Sequence, residues 1–119
     1  MPCRVIIVED HVDSAEGLAA LLAIWGHEPH IAGDGERALE LIETLSPDVV
    51  LTDIGLPGID GHELARRIRS MAAGGDILLL AITGTAEDGD FGASGFDCRL
   101  TKPVDFGALE RLLQARTRG

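Results

Sequence analysis

The sequence predicts an α/β fold in which five parallel strands form one sheet with helices on both faces. Short apolar segments of strand length alternate five times with helical segments, and no repeat, linker or low-complexity segment interrupts them. This alternation favours parallel strands because each helix carries the chain back to the same edge of the sheet. The length of 119 residues suits one buried core, so we expect a single domain over residues 1–119.

Each element is predicted from the spacing of its apolar residues. Apolar residues three and four positions apart indicate helices, and short β-branched runs indicate buried strands. Glycine and proline mark the ends, as at Gly26 and at Ser46-Pro47. The predicted order is a strand at 4–8, a helix from Asp13 to Trp25, a strand at 29–32, a helix between Gly35 and Ser46, a strand at 48–52 buried on both faces, a helix from about Gly61 to Gly74, strands at 77–82 and 98–100, and a helix at 105–116.

The segment between the last two strands is the least regular part of the chain. It contains four glycines, and each interior glycine costs a helix about 1 kcal/mol relative to alanine. We therefore expect a short fourth helix, or an irregular loop in its place. These glycines are Gly84, Gly89, Gly92 and Gly95.

Composition excludes several functional classes. A net charge of −10 argues against direct binding to nucleic acid or to anionic membranes. The chain has no apolar run near the roughly 20 residues that span a bilayer, and its start does not resemble a signal peptide. Cys3 and Cys98 form no disulfide framework and are expected to be structural. Together these features predict a reduced, cytoplasmic protein.

Polar residues follow four of the predicted strands: Glu9 and Asp10, Asp53, Thr83, and Lys102. Singly, such residues are usually helix caps or turn residues. Parallel strands, however, end at one edge of the sheet, where α/β proteins bind ligands. Lys102 is also the only lysine among ten basic residues, which indicates a need for a compact ammonium rather than a planar guanidinium.

Three carboxylates at one edge repel one another unless a cation joins them. Mg²⁺ prefers oxygen ligands and takes one or two protein carboxylates, with Mn²⁺ as an alternative. Asp53 then keeps one oxygen for covalent chemistry of the aspartyl-phosphate kind. The Lys102 ammonium and the Thr83 hydroxyl would share the charge of a phosphoryl group.

The segments at 8–11, 51–61, 82–84 and 100–103 resemble those of bacterial response-regulator receiver domains, including chemotaxis receivers. The resemblance covers essentially the whole chain in order. It implies a flavodoxin-like (βα)5 three-layer sandwich with strand order 2-1-3-4-5. It also implies a phosphoacceptor of a two-component phosphorelay, a signalling protein that switches conformation rather than an enzyme with a separate substrate.

The resemblance assigns roles to the residues at the sheet edge. Asp53 accepts the phosphoryl group from a histidine kinase or histidine phosphotransfer protein. Asp10, Asp53 and the Gly55 carbonyl ligate Mg²⁺, and Glu9 acts through a metal-bound water. Thr83 and Lys102 contact the phosphoryl oxygens.

Three further features are implied by the resemblance or depart from it. A cis peptide precedes Pro103, as in the family. Arg99 stands where many receivers carry an aromatic residue that reports phosphorylation, so the usual coupling from threonine to this aromatic is in doubt. His11 is expected at the exposed start of a helix rather than as a metal ligand.

Two other classes of protein remain open at this stage. Phosphatases with an aspartyl nucleophile carry a general acid two residues later, where this chain has Gly55, and 119 residues leave no room for a cap domain. A pseudo-receiver that never takes phosphate is disfavoured by the complete set of site residues. We expect no output domain, so the chain is either free-standing or part of a hybrid kinase or larger regulator. Its oligomeric state is left open.

Overall fold

A computed structural model describes residues 2–71, 74–84 and 94–118. It contains a five-stranded parallel sheet of order β2-β1-β3-β4-β5, which confirms the predicted class and strand order. The strands are β1 (Arg4–Val8), β2 (Glu28–Ala32), β3 (Val49–Asp53), β4 (Leu78–Thr83) and β5 (Cys98–Thr101), and the helices are α1 (Val12–Ile24), α2 (Gly35–Leu45), α3 (Gly61–Ser70) and α4 (Phe106–Arg118). The short helix predicted between β4 and β5 falls mainly on residues 85–93, outside the described residues.

Two apolar layers cover the sheet, one on each face. Because side chains alternate along a strand, Ile6 and Val50 point to the layer under α2 and α3, while Ile7 and Leu51 point to the layer under α1 and α4. Residues 49–52 of β3 are fully buried, as predicted for a central strand. Helices therefore pack on both faces of the sheet, and this packing positions the residues at its carboxyl edge.

Several element ends follow the predicted signals. Gly26 has a φ of +89°, a conformation that favours glycine, and it follows the end of α1. Asp34 caps α2 by accepting a hydrogen bond from the Arg37 amide at 2.8 Å. Ser46 ends α2 in the left-handed region, with a φ of 49°.

One detail of the prediction is wrong. The third helix ends at Ser70 rather than near Gly74, because Met71 has extended backbone angles and leaves the helix. Trp25, predicted as the last residue of the first helix, is its C-cap and packs half-buried against the layer under α1 and α4. Both cysteines are free thiols: Cys3 is buried and Cys98 half-buried. Among the helices of the described ranges, none is long and apolar enough to cross a bilayer.

The chain just after α1 is joined to the start of β1 by a hydrogen bond that involves a titratable group. The backbone N–H of Cys3 donates to Nδ1 of His27 at 3.0 Å, so this nitrogen carries no proton. Burial lowers the pKa of His27 below its ordinary 6.5, and the negative charge of Glu110 partly opposes this. The folded protein therefore holds His27 in its neutral form.

This lowered pKa predicts a loss of stability in mild acid. The unfolded chain binds the proton more readily, so the stabilising contribution is present above pH 6.5 and is lost as the pH falls through the lower folded pKa. Urea unfolding between pH 8 and pH 5 measures the effect. In His27→Asn the amide oxygen still accepts from Cys3 but does not titrate, so its free energy of unfolding should fall less over this range. Parallel curves for the two proteins would contradict the assignment.

Candidate functional site

The carboxyl edge of the sheet brings three acidic side chains together. Glu9 and Asp10 directly follow β1, and Asp53 is the last residue of the neighbouring strand β3. One carboxylate oxygen of each lies within 4.8 Å of the others. Because β1 and β3 are paired in parallel, their ends meet here and the three charges converge.

Asp53 is held by a contact to each of its carboxylate oxygens. The Gly55 amide donates to Oδ1 at 3.1 Å, and Nζ of Lys102 lies 3.3 Å from Oδ2. The side chain is 17% exposed, so a reactant can still reach it from solvent. Asp53 is therefore oriented by the Gly55 amide and paired with the Lys102 ammonium, while part of its side chain stays accessible to solvent.

Lys102 lies between two of the carboxylates. Its Nζ is also 4.0 Å from Oε2 of Glu9, and its amide donates to the Thr83 carbonyl at 2.7 Å. That second contact ties the residue after β5 to the end of β4. The peptide between Lys102 and Pro103 is cis, as the resemblance implied.

Glu9 is the least exposed of the three carboxylates. Its side chain is 11% exposed, and Oε1 accepts a hydrogen bond from the His11 amide at 3.0 Å. Burial raises the pKa of the Glu9 carboxyl, and the Asp53 carboxylate adds to this, whereas the His11 amide and Lys102 act in the opposite direction. The cluster of three carboxylates therefore exceeds in charge the one ammonium, that of Lys102, which contacts Glu9 and Asp53. A hard divalent cation fits this all-oxygen donor set, whose excess negative charge it would offset.

The remaining predicted site residues lie at the same edge. Thr83 is the last residue of β4, 3% exposed, and Ile82 beside it is in register with Asp53. Gly55 contacts Asp53 through its amide, and the use of its carbonyl as a metal ligand stays a prediction. His11 is exposed at the N-cap of α1, as expected.

The loop after Asp53 is fixed by close packing against the start of α3. The Gly61 amide donates to the Ile54 carbonyl at 2.9 Å. A Cβ on Gly61 would lie 2.8 Å from both the Asp53 carbonyl oxygen and Cα of Ile54. Asp60 caps α3 by accepting from the Glu63 amide at 2.9 Å. The first turn of α3 therefore packs directly against the backbone of Asp53 and Ile54.

An apolar cavity of about 360 Å³ opens beside Asp53 and was not predicted from the sequence. Its walls come from one side of α1 and from the segment that leads into α4. The sequence signal for it lies in α1, which is apolar on more of its circumference than one buried face requires. Among the residues that line the cavity, Phe106 is 50% exposed. The main wall residues are Ser14, Gly17, Leu18, Pro103 and Val104.

Comparison with known proteins now identifies the class. Residues 5–114 match the family model described as the response regulator receiver domain. The chain therefore belongs to the receiver domain family of two-component response regulators.

Similar curated proteins include a named response regulator. The chain is 37% identical over 114 residues to the response regulator MprA of Mycolicibacterium vanbaalenii, covering 95% of this chain and 48% of that protein. It is 34% identical over 113 residues to an uncharacterized 14.6 kDa protein of Leptolyngbya boryana, covering 92% and 86%. The chain thus spans about half the length of MprA.

Solved structures agree with the fold. A putative response regulator from Chloroflexus aurantiacus superposes with a TM-score of 0.91 at 29% identity, with full coverage of both chains (100% each). The receiver domain of the sensor histidine kinase PA1611 from Pseudomonas aeruginosa, solved with magnesium in its active-site cleft, gives 0.89 at 28% identity and 100% coverage of both. The receiver domain of Saccharomyces cerevisiae Ssk1, crystallised with the phosphotransfer protein Ypd1, gives 0.83 at 25% identity, covering 94% of this chain and 86% of that one.

Two glycine substitutions should have opposite effects on stability. In Gly61→Ala the new methyl group meets backbone atoms at 2.8 Å, so α3 must shift, which we expect to cost about 1–3 kcal/mol. Gly17→Ala is the matched control, because its Cβ meets no atom within 4 Å and alanine favours a helix interior by roughly 0.5–1 kcal/mol. Urea unfolding measures both changes. Equal effects would show that α3 does not pack tightly on Asp53.

Proposed function

We propose that this receiver domain accepts a phosphoryl group on Asp53 from a phosphohistidine of a histidine kinase or histidine phosphotransfer protein. The observation that supports this best is the arrangement around Asp53, whose two oxygens contact the Gly55 amide and the Lys102 ammonium within a cluster of carboxylates. We expect the protein to act in the cytoplasm, with both thiols reduced.

The site fits Mg²⁺, with Mn²⁺ as an alternative. Asp10, Asp53 and the Gly55 carbonyl would hold the ion, and Glu9 would act through a bound water. When bound, the cation neutralises part of the roughly two negative charges that a phosphoryl group brings. The magnesium in the Pseudomonas receiver domain supports this assignment, because that domain shares the fold and 28% of its sequence with this chain.

The transfer step itself uses few groups of the protein. An Asp53 oxygen forms a bond to phosphorus as the phosphorus–nitrogen bond of the donor breaks, and the imidazole nitrogen that leaves takes up a proton. We expect Lys102, whose Nζ lies 3.3 Å from Asp53, and the Thr83 hydroxyl at the end of β4 to contact the phosphoryl oxygens. Gly55 offers no side chain to activate water, so we propose that the chain catalyses only its own phosphorylation and a slow dephosphorylation.

The donor is proposed to dock over the cavity beside α1. A protein seated there would cover the exposed side chain of Phe106 and bring its histidine close to Asp53. A helical donor suits this surface, because Gly17 leaves room for close approach of another backbone. The complex between Ypd1 and the Ssk1 receiver domain supports a phosphotransfer protein as partner. As the PA1611 receiver belongs to a sensor kinase, attachment to a hybrid kinase or larger regulator is equally compatible.

Acetyl phosphate with Mg²⁺ should add one phosphate to the protein, measured by intact mass. The bond should be stable in mild acid and labile in base, as expected for an acyl phosphate. Asp53→Asn should take up none, because an amide is not a nucleophile. Asp13→Asn, which changes another carboxylate of the same cavity, is the matched control and should be labelled normally. An Asp53→Asn protein labelled at the wild-type rate would refute the assignment, and an unlabelled wild type would favour a pseudo-receiver.

Mg²⁺ alone should stabilise the protein against heat. Binding to the folded state contributes about 2.7 kcal/mol at a hundredfold excess over Kd. Asp10→Ala removes a ligand and also some repulsion, so its metal-free melting temperature should not fall while its response to Mg²⁺ disappears. Asp13→Ala serves as the control and should keep the response. Equal Mg²⁺ shifts in wild type and Asp10→Ala would exclude this metal site.

Docking over the cavity beside α1 can be separated from the chemistry at Asp53. Phe106→Asp places a charge on the apolar surface that a donor must bury, which should slow transfer from a phosphorylated histidine phosphotransfer protein at least about tenfold. Labelling by acetyl phosphate should be unchanged, since no docking surface is needed. Thr44→Asp, on the opposite face of the sheet, adds the same charge and should alter neither rate. If Phe106→Asp transfers at the wild-type rate, the donor docks elsewhere.

A further inference from the structure

Arg99 raises the question of how this receiver communicates the state of Asp53. In register Arg99 is beside Ala81, on the sheet face covered by α3, and its side chain is exposed on the edge strand β5. Burial of a guanidinium in an apolar layer is costly, so other side chains are better suited to connect Asp53 with the segment before β5.

The start of α3 provides such a connection. Gly61 packs against the backbone of Asp53 and Ile54, as described above, and His62 is the next residue. Nδ1 of His62 lies 2.6 Å from Oγ of Ser94, a hydrogen-bond distance. The His62 ring also packs edge-on against Phe96, with ring centroids 5.9 Å apart at 78°.

The residues contacted by His62 belong to the segment that leads into β5. Ser94 is 5% exposed and Phe96 is 7% exposed, and Phe96 shares an apolar cluster with Ile54 and Leu56 of the loop after Asp53. Four residues beyond Asp97, this segment reaches Thr101, which precedes the site lysine. Residues 94–97 therefore lie between the loop after Asp53 and the strand that leads to Lys102.

The far end of α3 holds the same segment. Nε of Arg69 donates to the Gly95 carbonyl at 2.9 Å, and Nη2 lies 2.8 Å from Oδ2 of Asp97. The same Asp97 oxygen accepts from the Leu79 amide at 2.9 Å. With His62 at its first turn and Arg69 at its last, α3 contacts residues 94–97 at both ends. Contacts at both ends of a helix are the kind of packed network through which coupling between sites can be carried.

We propose that α3 links the phosphorylation state of Asp53 to residues 94–97, with the hydrogen bond between His62 and Ser94 as the positioning contact. The loop after Asp53 bears on Gly61, Gly61 sets the position of His62, and His62 sets that of Ser94. This inference rests on the proposed function, since it assumes that Asp53 changes state.

The test compares amide chemical shifts with and without Mg²⁺ and beryllofluoride, a phosphoryl mimic. In the wild-type protein we expect changes at Gly55 and Lys102 and also at residues 94–97. In His62→Ala the changes at Gly55 and Lys102 should persist, while those at 94–97 should shrink about fivefold, the effect of one hydrogen bond on an equilibrium. His62→Asn should restore them, because its amide oxygen takes the place of Nδ1.

Two further variants make the result decisive. Ser94→Ala removes the other partner with little change in volume, so it should reproduce the effect of His62→Ala even if that variant folds poorly. Arg67→Ala removes an exposed ion pair with Glu63 from the same helix and should leave the response unchanged. Full responses at 94–97 in Ser94→Ala, or in a folded His62→Ala, would overturn the inference. An absence of change at Gly55 and Lys102 in wild type would instead refute the proposed function.

Discussion

The convergence of like charges at the ends of parallel strands is the constraint on which the rest of this structure depends. Parallel pairing of β1 and β3 forces Glu9, Asp10 and Asp53 to one edge, where their repulsion opposes folding. The apolar layers on both faces of the sheet offset that cost and keep the cluster in place. A site made in this way suits the cation and the phosphoryl group that we propose it binds.

Lys102 shows why one cation of the protein does not neutralise the cluster. It contacts Asp53 at 3.3 Å and Glu9 at 4.0 Å, yet three carboxylates leave an excess of negative charge around it. Burial raises the pKa of the Glu9 carboxyl, and the neighbouring Asp53 carboxylate adds to this rise. The Lys102 ammonium holds Asp53 in position, and the remaining negative charge is what the proposed cation would offset.

Much of the fold and the identity of the acidic cluster could be predicted from the sequence, for one physical reason. Strand–helix alternation fixes parallel pairing, and parallel pairing fixes which residues share an edge, so Asp53 and Glu9 could be brought together from their positions alone. The contact between His62 and Ser94 could not, because it joins residues 32 apart through the packing of α3 and leaves no periodic pattern. The half-burial of Trp25 and the cavity beside α1 likewise could not be predicted, because both depend on how much of the sheet each helix covers.

The exposed apolar side chains have a consequence for how copies of this chain behave toward one another. Phe106 is 50% exposed beside the cavity, and Val12 and Ile24 on α1 are 64% and 80% exposed, so apolar surface is accessible to another molecule. A net charge of −10 makes equal molecules repel one another, and salt weakens this repulsion because the screening length falls from about 30 Å at 0.01 M to about 10 Å at 0.1 M. We therefore expect any tendency of this chain to self-associate to increase with ionic strength.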